Sequence, residues 1–124
     1  MTTWLWMKFS ELSAEQLYQA IELREQVFIV EQNCVYQDCD GNDPKAWHLL
    51  GYKDGVLVAY LRGFPAGIKY SEASIGRVVT SPKARGTGVG KELVKVSIEN
   101  MECRNYRIRS WGLYTNGIWI GSRG

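Results

Sequence analysis

Asp54-Gly55 separates two runs rich in apolar and aromatic residues, Trp47–Lys53 and Val56–Phe64. A pair of this type between strand-like runs is the tightest hairpin signal, because both residues accept positive φ and the resulting turn matches the twist of the strands it joins. The middle of the chain is therefore committed to an antiparallel pair. A third strand-like run, Ser74–Thr80, follows the loop PAGIKYSEA, and Gly76 inside it marks a bulge or a close approach to the backbone. Upstream, residues 4–9 have the short aromatic profile of a strand. Ser13 with Gln16 three residues later makes a capping box, which opens a helix over residues 14–26. Leu17, Ile21, Arg24 and Phe28 share a face at helical spacing. VFIVEQ after it reads as a short helical continuation or a turn, and NCVYQDCDGNDPK as a loop.

The next signal lies directly after the third strand, in SPKARGTGVGKEL. Val89, Leu93, Val96 and Asn100 fall on or near one face, with Lys95 and Glu99 outward, which predicts a helix over 89–100. Three glycines therefore sit at a helix mouth. A helix N-terminus has unpaired N–H groups and the positive end of the macrodipole, so it binds anions without a basic side chain. With no side chains at Gly86, Gly88 and Gly90, successive N–H groups can turn inward and touch phosphate oxygens. A Walker loop does not fit, because Arg85 and Glu92 stand where it needs glycine and a hydroxyl. A dinucleotide fingerprint does not fit either, since its third glycine falls on Lys91. A tight turn with no ligand is the alternative reading of the glycines alone.

Bulk properties narrow the partners. The chain has 124 residues, 45% of them hydrophobic, enough for one domain with its own core. A formal charge of +2 is too near balance to argue for nucleic acid or a membrane surface. Three cysteines are an odd number with no secretory signal ahead of them, which fits a reducing, cytoplasmic location. The apolar TTWLWMKF is far short of the ~20 residues that span a bilayer.

The pattern V-x-x-P-x-x-R-G-x-G-x-G-x-x-L, here VTSPKARGTGVGKEL from Val79, resembles the pyrophosphate loop of the GNAT superfamily of acyl-CoA-dependent N-acetyltransferases. LREQVFIVEQNCVYQDCDGND, residues 23–43, followed by WHLLGY, closely resembles the N-terminal half of its ElaA-like branch. Together these stretches cover most of residues 10–100. The resemblance implies an α/β (α+β) fold with a mixed, mostly antiparallel central sheet flanked by helices. It implies one domain over residues 1–124, its C-terminal part incomplete and the tail over 101–124 divergent. It implies acetyl-CoA as co-substrate and direct transfer of acetyl to a small amine or an N-terminal amine. A non-catalytic acyl-CoA-binding or dimerising module is the alternative. Carried onto this chain, backbone N–H groups of Arg85, Gly86, Thr87, Gly88, Val89, Gly90 and Lys91 would hold the CoA pyrophosphate. Val78, Val79 and Thr80 would present main-chain groups to the pantetheine arm, one N–H polarising the thioester carbonyl.

Amine acylation also needs a base for the ammonium and a proton donor for the thiolate. Glu31 is the preferred acceptor-binding carboxylate or base, with an exposed helix-end charge as the alternative. His48, the single histidine, is the second candidate, though a hydrogen-bonded core histidine fits its apolar surroundings equally. Arg62 and Arg77, in neighbouring strands, either pair with the carboxylates Glu31, Asp40 and Asp43 or recognise an acidic acceptor group. For Arg62 a surface charge is the favoured reading. Cys34-x4-Cys39 with His48 is too loose for a zinc knuckle, so no metal is expected. The tryptophans are read as core anchors.

The tail MECRNYRIRSWGLYTNGIWIGSRG is too short for the strand, tyrosine-bearing helix and closing strands that the resemblance implies. Tyr114 is the carry-over candidate for protonating the thiolate. Residues 106–111 are expected as a strand beside Ser74–Thr80, and Asn116-Gly117 as a hairpin turn. A truncated or altered end, a homodimer that covers the edge, and a local hairpin are the three explanations of the tail.

Overall fold

Four strands, β1 (Thr3–Lys8), β2 (Trp47–Lys53), β3 (Val56–Phe64) and β4 (Ser74–Thr80), form an antiparallel sheet whose spatial order follows the sequence. The structure, a computed structural model, describes residues 1–103, 110–115 and 118–123, and beyond Met101 only their backbone. Asp54 (φ 52°) and Gly55 (φ 77°) turn β2 into β3 with Lys53 opposite Val56, the two-residue connection expected of that pair.

Helix α1 (Ala14–Arg24) starts at Ser13, whose Oγ accepts from the Gln16 N–H at 3.0 Å while the Gln16 Oε1 accepts from the Ser13 N–H at 2.9 Å. The helix then widens into a π-helical segment, Glu25–Glu31. There the Gln32 N–H bonds the Val27 carbonyl and the Cys34 N–H bonds the Ile29 carbonyl, each five residues back. The buried face is Ala20, Leu23, Arg24, Val27 and Phe28, so it lies later in the sequence than Leu17 and Ile21 suggest. Helix α2 (Val89–Cys103) follows the glycine loop.

The sheet separates two apolar layers. Ala20, Leu23, Val27 and Phe28 pack on Leu50, Leu57, Tyr60 and Val79 on one face. Val89 and Leu93 of α2 pack on Leu49, Val58, Ala59, Leu61 and Val78 on the other. Val58 and Ala59 share a face despite being neighbours, because the β2–β3 register slips by one residue between Gly51 and Tyr52. Trp4 and Trp6 pack against the α2 layer, as core anchors.

Strands β5 (Ser110–Thr115) and β6 (Ile118–Arg123) pair with Thr115 opposite Ile118, the register of a two-residue connection at 116–117. The strand expected over 106–111 falls largely outside the described residues. Strand β6 approaches β4 within 8 Å between Cα atoms, yet among the described residues β4 is hydrogen-bonded to β3 alone. Among those residues no helix is long and apolar enough to cross a membrane.

Candidate functional site

β4 runs straight into the glycine loop. A short 3-10 turn over Pro82–Ala84 reverses the chain, with the Ala84 N–H on the Ser81 carbonyl at 2.9 Å. Gly86 (φ 82°) and Gly88 (φ 85°) then take the left-handed backbone that a Cβ disfavours. A Cβ placed on either would meet nothing within 4 Å, so the glycines serve the backbone and no group among the described residues fills the space beside them. The bond from the Glu92 N–H to the Gly88 carbonyl (3.1 Å) opens the α2 ladder, which leaves the N–H groups of Val89, Gly90 and Lys91 at the helix mouth. Successive amides in this arrangement favour an anion.

The strand leading into that loop is irregular. Val79 lies opposite Tyr60 and Gly76 opposite Arg62, so Arg77 and Val78 together face the single residue Leu61. This one-residue bulge lies where Gly76 signalled it, but the strained backbone is at Arg77 (φ 51°). The Ser81 N–H bonds the Val58 carbonyl at 2.7 Å, which fixes the alternation of the ladder. Val79 points its main-chain groups to β3, and Val78 points its own to the other edge. An amide-rich edge thus adjoins the helix mouth.

Three aspartates of the 33–46 loop meet three arginines beside this edge. Arg24, with no exposed side-chain surface, contacts Asp38 Oδ2 (2.8 Å) and Asp43 Oδ1 (3.0 Å) and donates to the Asp38 carbonyl (3.0 Å). Arg62 forms a fork on Asp40, at 2.9 and 2.6 Å, and also reaches Asp43 at 2.8 Å. Arg77 donates to Asp38 Oδ1 at 2.9 Å, and its guanidinium lies 5.3 Å from the Tyr36 ring centre. Arg62 is 1% exposed, which corrects its reading as a surface charge. Burial of a strand arginine is tolerated because two carboxylates accept from its Nη1 and Nη2, although its buried Nε has no hydrogen-bond partner among the described residues. The hydrogen bonds from Arg62 hold the Asp40 carboxyl well below its usual range. Burial pushes Asp43 up, but Arg24 and Arg62 outweigh it and the net shift is downward. Burial and the neighbouring Asp38 push the Tyr36 phenol up to about 12.

His48 sits behind the network, fully buried. Its Nδ1 is 2.6 Å from the Tyr60 hydroxyl and its Nε2 2.9 Å from the Asp43 carbonyl, so the neutral ring that donates from Nε2 and accepts at Nδ1 satisfies both. Of its two readings, this placement is that of the core histidine. Burial lowers its pKa, more than the Asp43 carbonyl raises it. The neutral ring therefore stabilises the fold fully above the unfolded pKa of ~6.5 and progressively less as pH falls below it toward the folded value. Urea midpoints are expected to drop between pH 7 and 5, and His48→Gln to flatten that slope. An unchanged slope in the variant would show that His48 does not titrate on unfolding.

Glu31 lies across the loop from the network. Both its oxygens accept from Arg85, at 2.6 and 2.7 Å, and Arg85 also reaches the Thr80 carbonyl at 3.4 Å. These hydrogen bonds lower the Glu31 pKa against a smaller opposing effect of burial. The end of the π-helical segment is thereby tied to the first residue of the glycine loop. The pairing joins residues 54 apart, so no local pattern announces it. Tyr114 falls in β5. Cys34 and Cys39 are exposed free thiols. Among the described residues no three His, Cys, Asp or Glu side chains group as metal ligands.

The chain is similar to known proteins over most of its length. The acetyltransferase (GNAT) family matches residues 2–116. Protein ElaA of Escherichia coli K12 is 44% identical over 101 residues, covering 80% of this chain and 66% of its own. The UPF0039 protein sll0451 of Synechocystis is 45% identical over 98 residues, covering 77% and 63%. The chain thus spans less than two thirds of the length of these curated relatives. The crystal structure of E. coli ElaA superposes with a TM-score of 0.76 at 43% identity, over 81% of this chain and 69% of that one. An acyl-CoA N-acyltransferase from Pseudomonas aeruginosa superposes with a TM-score of 0.80 at 37% identity, over 84% and 73%.

Proposed function

The chain belongs to the GNAT family of acetyltransferases, and from that premise we propose that it transfers an acetyl group from acetyl-CoA to the nitrogen of a small amine or an N-terminal amine, acting as one domain. The observation that carries this reading is the continuity of β4 with the glycine loop. One amide edge leads to one cluster of helix-mouth amides, and acyl-CoA has amides followed by a pyrophosphate in the same order. The N–H groups of residues 85–91 hold the pyrophosphate. Val79 and Thr80 flank the arm, and the Val78 N–H donates to the thioester oxygen. The neutral amine attacks the carbonyl carbon, the oxygen takes up the negative charge, the attacking nitrogen gives up a proton to solvent water, and the C–S bond then breaks to release the thiolate. Tyr114 is the proposed proton donor to that sulfur. A cytoplasmic location fits the exposed thiols.

Glu31 is assigned differently from a base. A base must release Arg85 and regain affinity for protons, and the ion pair opposes both. Glu31 acts as an anchor that fixes Arg85 and so the first turn of the loop. Glu31→Gln is expected to weaken CoA binding severalfold, with stability changed by no more than ~1 kcal/mol because the pair is part-exposed. Isothermal titration checks the first and thermal melting the second. Full affinity with lost turnover would restore the base.

The test of the function is thioester loss from acetyl-CoA with a panel of amines, followed by mass spectrometry of the products. Optical thiol reagents are avoided because Cys34 and Cys39 are exposed. Amine-dependent loss with acetylated product is expected. Saturable CoA binding without turnover of any amine would make the chain an acyl-CoA-binding module instead.

A further inference from the structure

Arg77 is the residue at which the buried ion-pair network touches the acyl-transfer edge. Its left-handed φ of 51° is unfavourable for a side chain with a Cβ, so the bulge persists only where its surroundings hold it. The position in a bulge that takes this backbone is ordinarily glycine. Here Gly76 stands one residue earlier and lies outside the left-handed region, so it is not the residue that bears the strain. What holds Arg77 is Asp38, through the 2.9 Å bond to Oδ1 and a 3.2 Å bond to its carbonyl, with Asp40 Oδ2 at 3.4 Å. Asp38 is in turn fixed from its other side by the fully buried Arg24 of α1. A rigid path therefore runs from α1 through Asp38 to the bulge. Val78, next in the chain, has its side chain locked in the α2 layer and its main-chain groups directed away from β3.

We infer that Arg77 is a positioning residue for acyl transfer: its ion pair with Asp38 holds the β4 bulge in the conformation that aims the Val78 N–H at the thioester. The inference rests on the acyl-transfer reading given above. The hydrogen bonds of the guanidinium go to Asp38 and Asp40 and not to the glycine loop, so its loss is expected to act on the orientation of one donor and to leave cofactor binding in place. Substitution of Arg77 should therefore lower kcat with little change in CoA affinity. Lysine, which keeps one charged donor for Asp38, should restore part of the rate. Glycine relieves the φ strain but removes the clamp, so it separates the two contributions.

The experiment compares wild type with Arg77→Ala, Arg77→Lys and Arg77→Gly. It measures acyl-CoA cleavage to the best amine or to water, CoA affinity by titration, and hydrogen exchange of the Val79 amide, which the ladder directs to β3 beside the bulge. Arg77→Ala and Arg77→Gly are expected to lose roughly 10- to 100-fold in kcat, short of the loss on deleting an oxyanion donor outright. Their CoA affinity should stay within about threefold and their Val79 exchange should quicken at least tenfold, with Arg77→Lys between them and wild type. Unchanged kcat and exchange in Arg77→Ala, or parallel losses of kcat and CoA affinity, would overturn the proposal. A wild type that binds no CoA contradicts the acyl-transfer reading itself; the exchange rates still decide whether Arg77 holds the bulge. Should the alanine variant not fold, the lysine and glycine variants carry the same comparison, and equal kcat in glycine and wild type would overturn it.

Discussion

Asp43→Ala is expected to destabilise the protein by about 3–5 kcal/mol, since it strips a carboxylate from two buried guanidinium groups at once. For a domain of this size the loss corresponds to roughly 10–20 °C in melting temperature. Glu99→Ala, on the exposed side of α2, should stay within ~0.5 kcal/mol and serves as the control. The same pairs set the acid limit of the fold. The Asp40 and Asp43 pKa values are depressed in the folded state, so their contribution is complete above the unfolded value of about 4 and is lost as pH falls below it. Thermal melts from pH 7 to pH 3 in wild type and Asp43→Ala check both statements. A variant that melts with wild type at neutral pH would mean that the arginines find other partners, and the network would not anchor the 33–46 loop.

Gly88→Val should abolish CoA binding. At φ 85° a β-branched residue is a genuine outlier, and the left-handed backbone costs it ~1–2 kcal/mol, so the loop is expected to shift and its amides to point elsewhere. The side chain would also enter the open space above the loop, where the pyrophosphate is proposed to lie. Gly86→Val should behave alike for the same two reasons. Gly90 is already helical, so Gly90→Val acts through blockage alone, and Arg85→Ala, whose N–H survives, should weaken binding less. Titration calorimetry measures all four. If Gly88→Val keeps wild-type affinity, the glycines form only a turn.

These residues also show how far a sequence can be read. The hairpin at Asp54-Gly55, the cap at Ser13 and the helix mouth at Gly88 are local, and each was legible because the residues that cause the structure are adjacent in the chain. Arg24 and Arg62 were not. On a helix face and in an apolar strand they have no local justification, and only the return of the Asp38–Asp43 loop supplies their partners. The cluster of aspartates at 38, 40 and 43 was the available signal, and it needed the topology to connect it with arginines on three separate elements. The bulge lies between these cases. Gly76 announced an irregularity, but the residue under strain is its neighbour, held by a contact 39 residues away. Glu31 followed the same logic: its chemistry depends on Arg85, which no pattern around residue 31 could reveal.

The central claim is that main-chain amides along one continuous path receive acyl-CoA. Amide chemical-shift mapping of the isotope-labelled protein, titrated with CoA, tests it most directly. The largest shifts are expected at residues 86–91 and at Val78, with the buried amides of β2 unmoved. Saturable binding that leaves residues 86–91 and Val78 in place, and moves amides elsewhere in the domain, would contradict it.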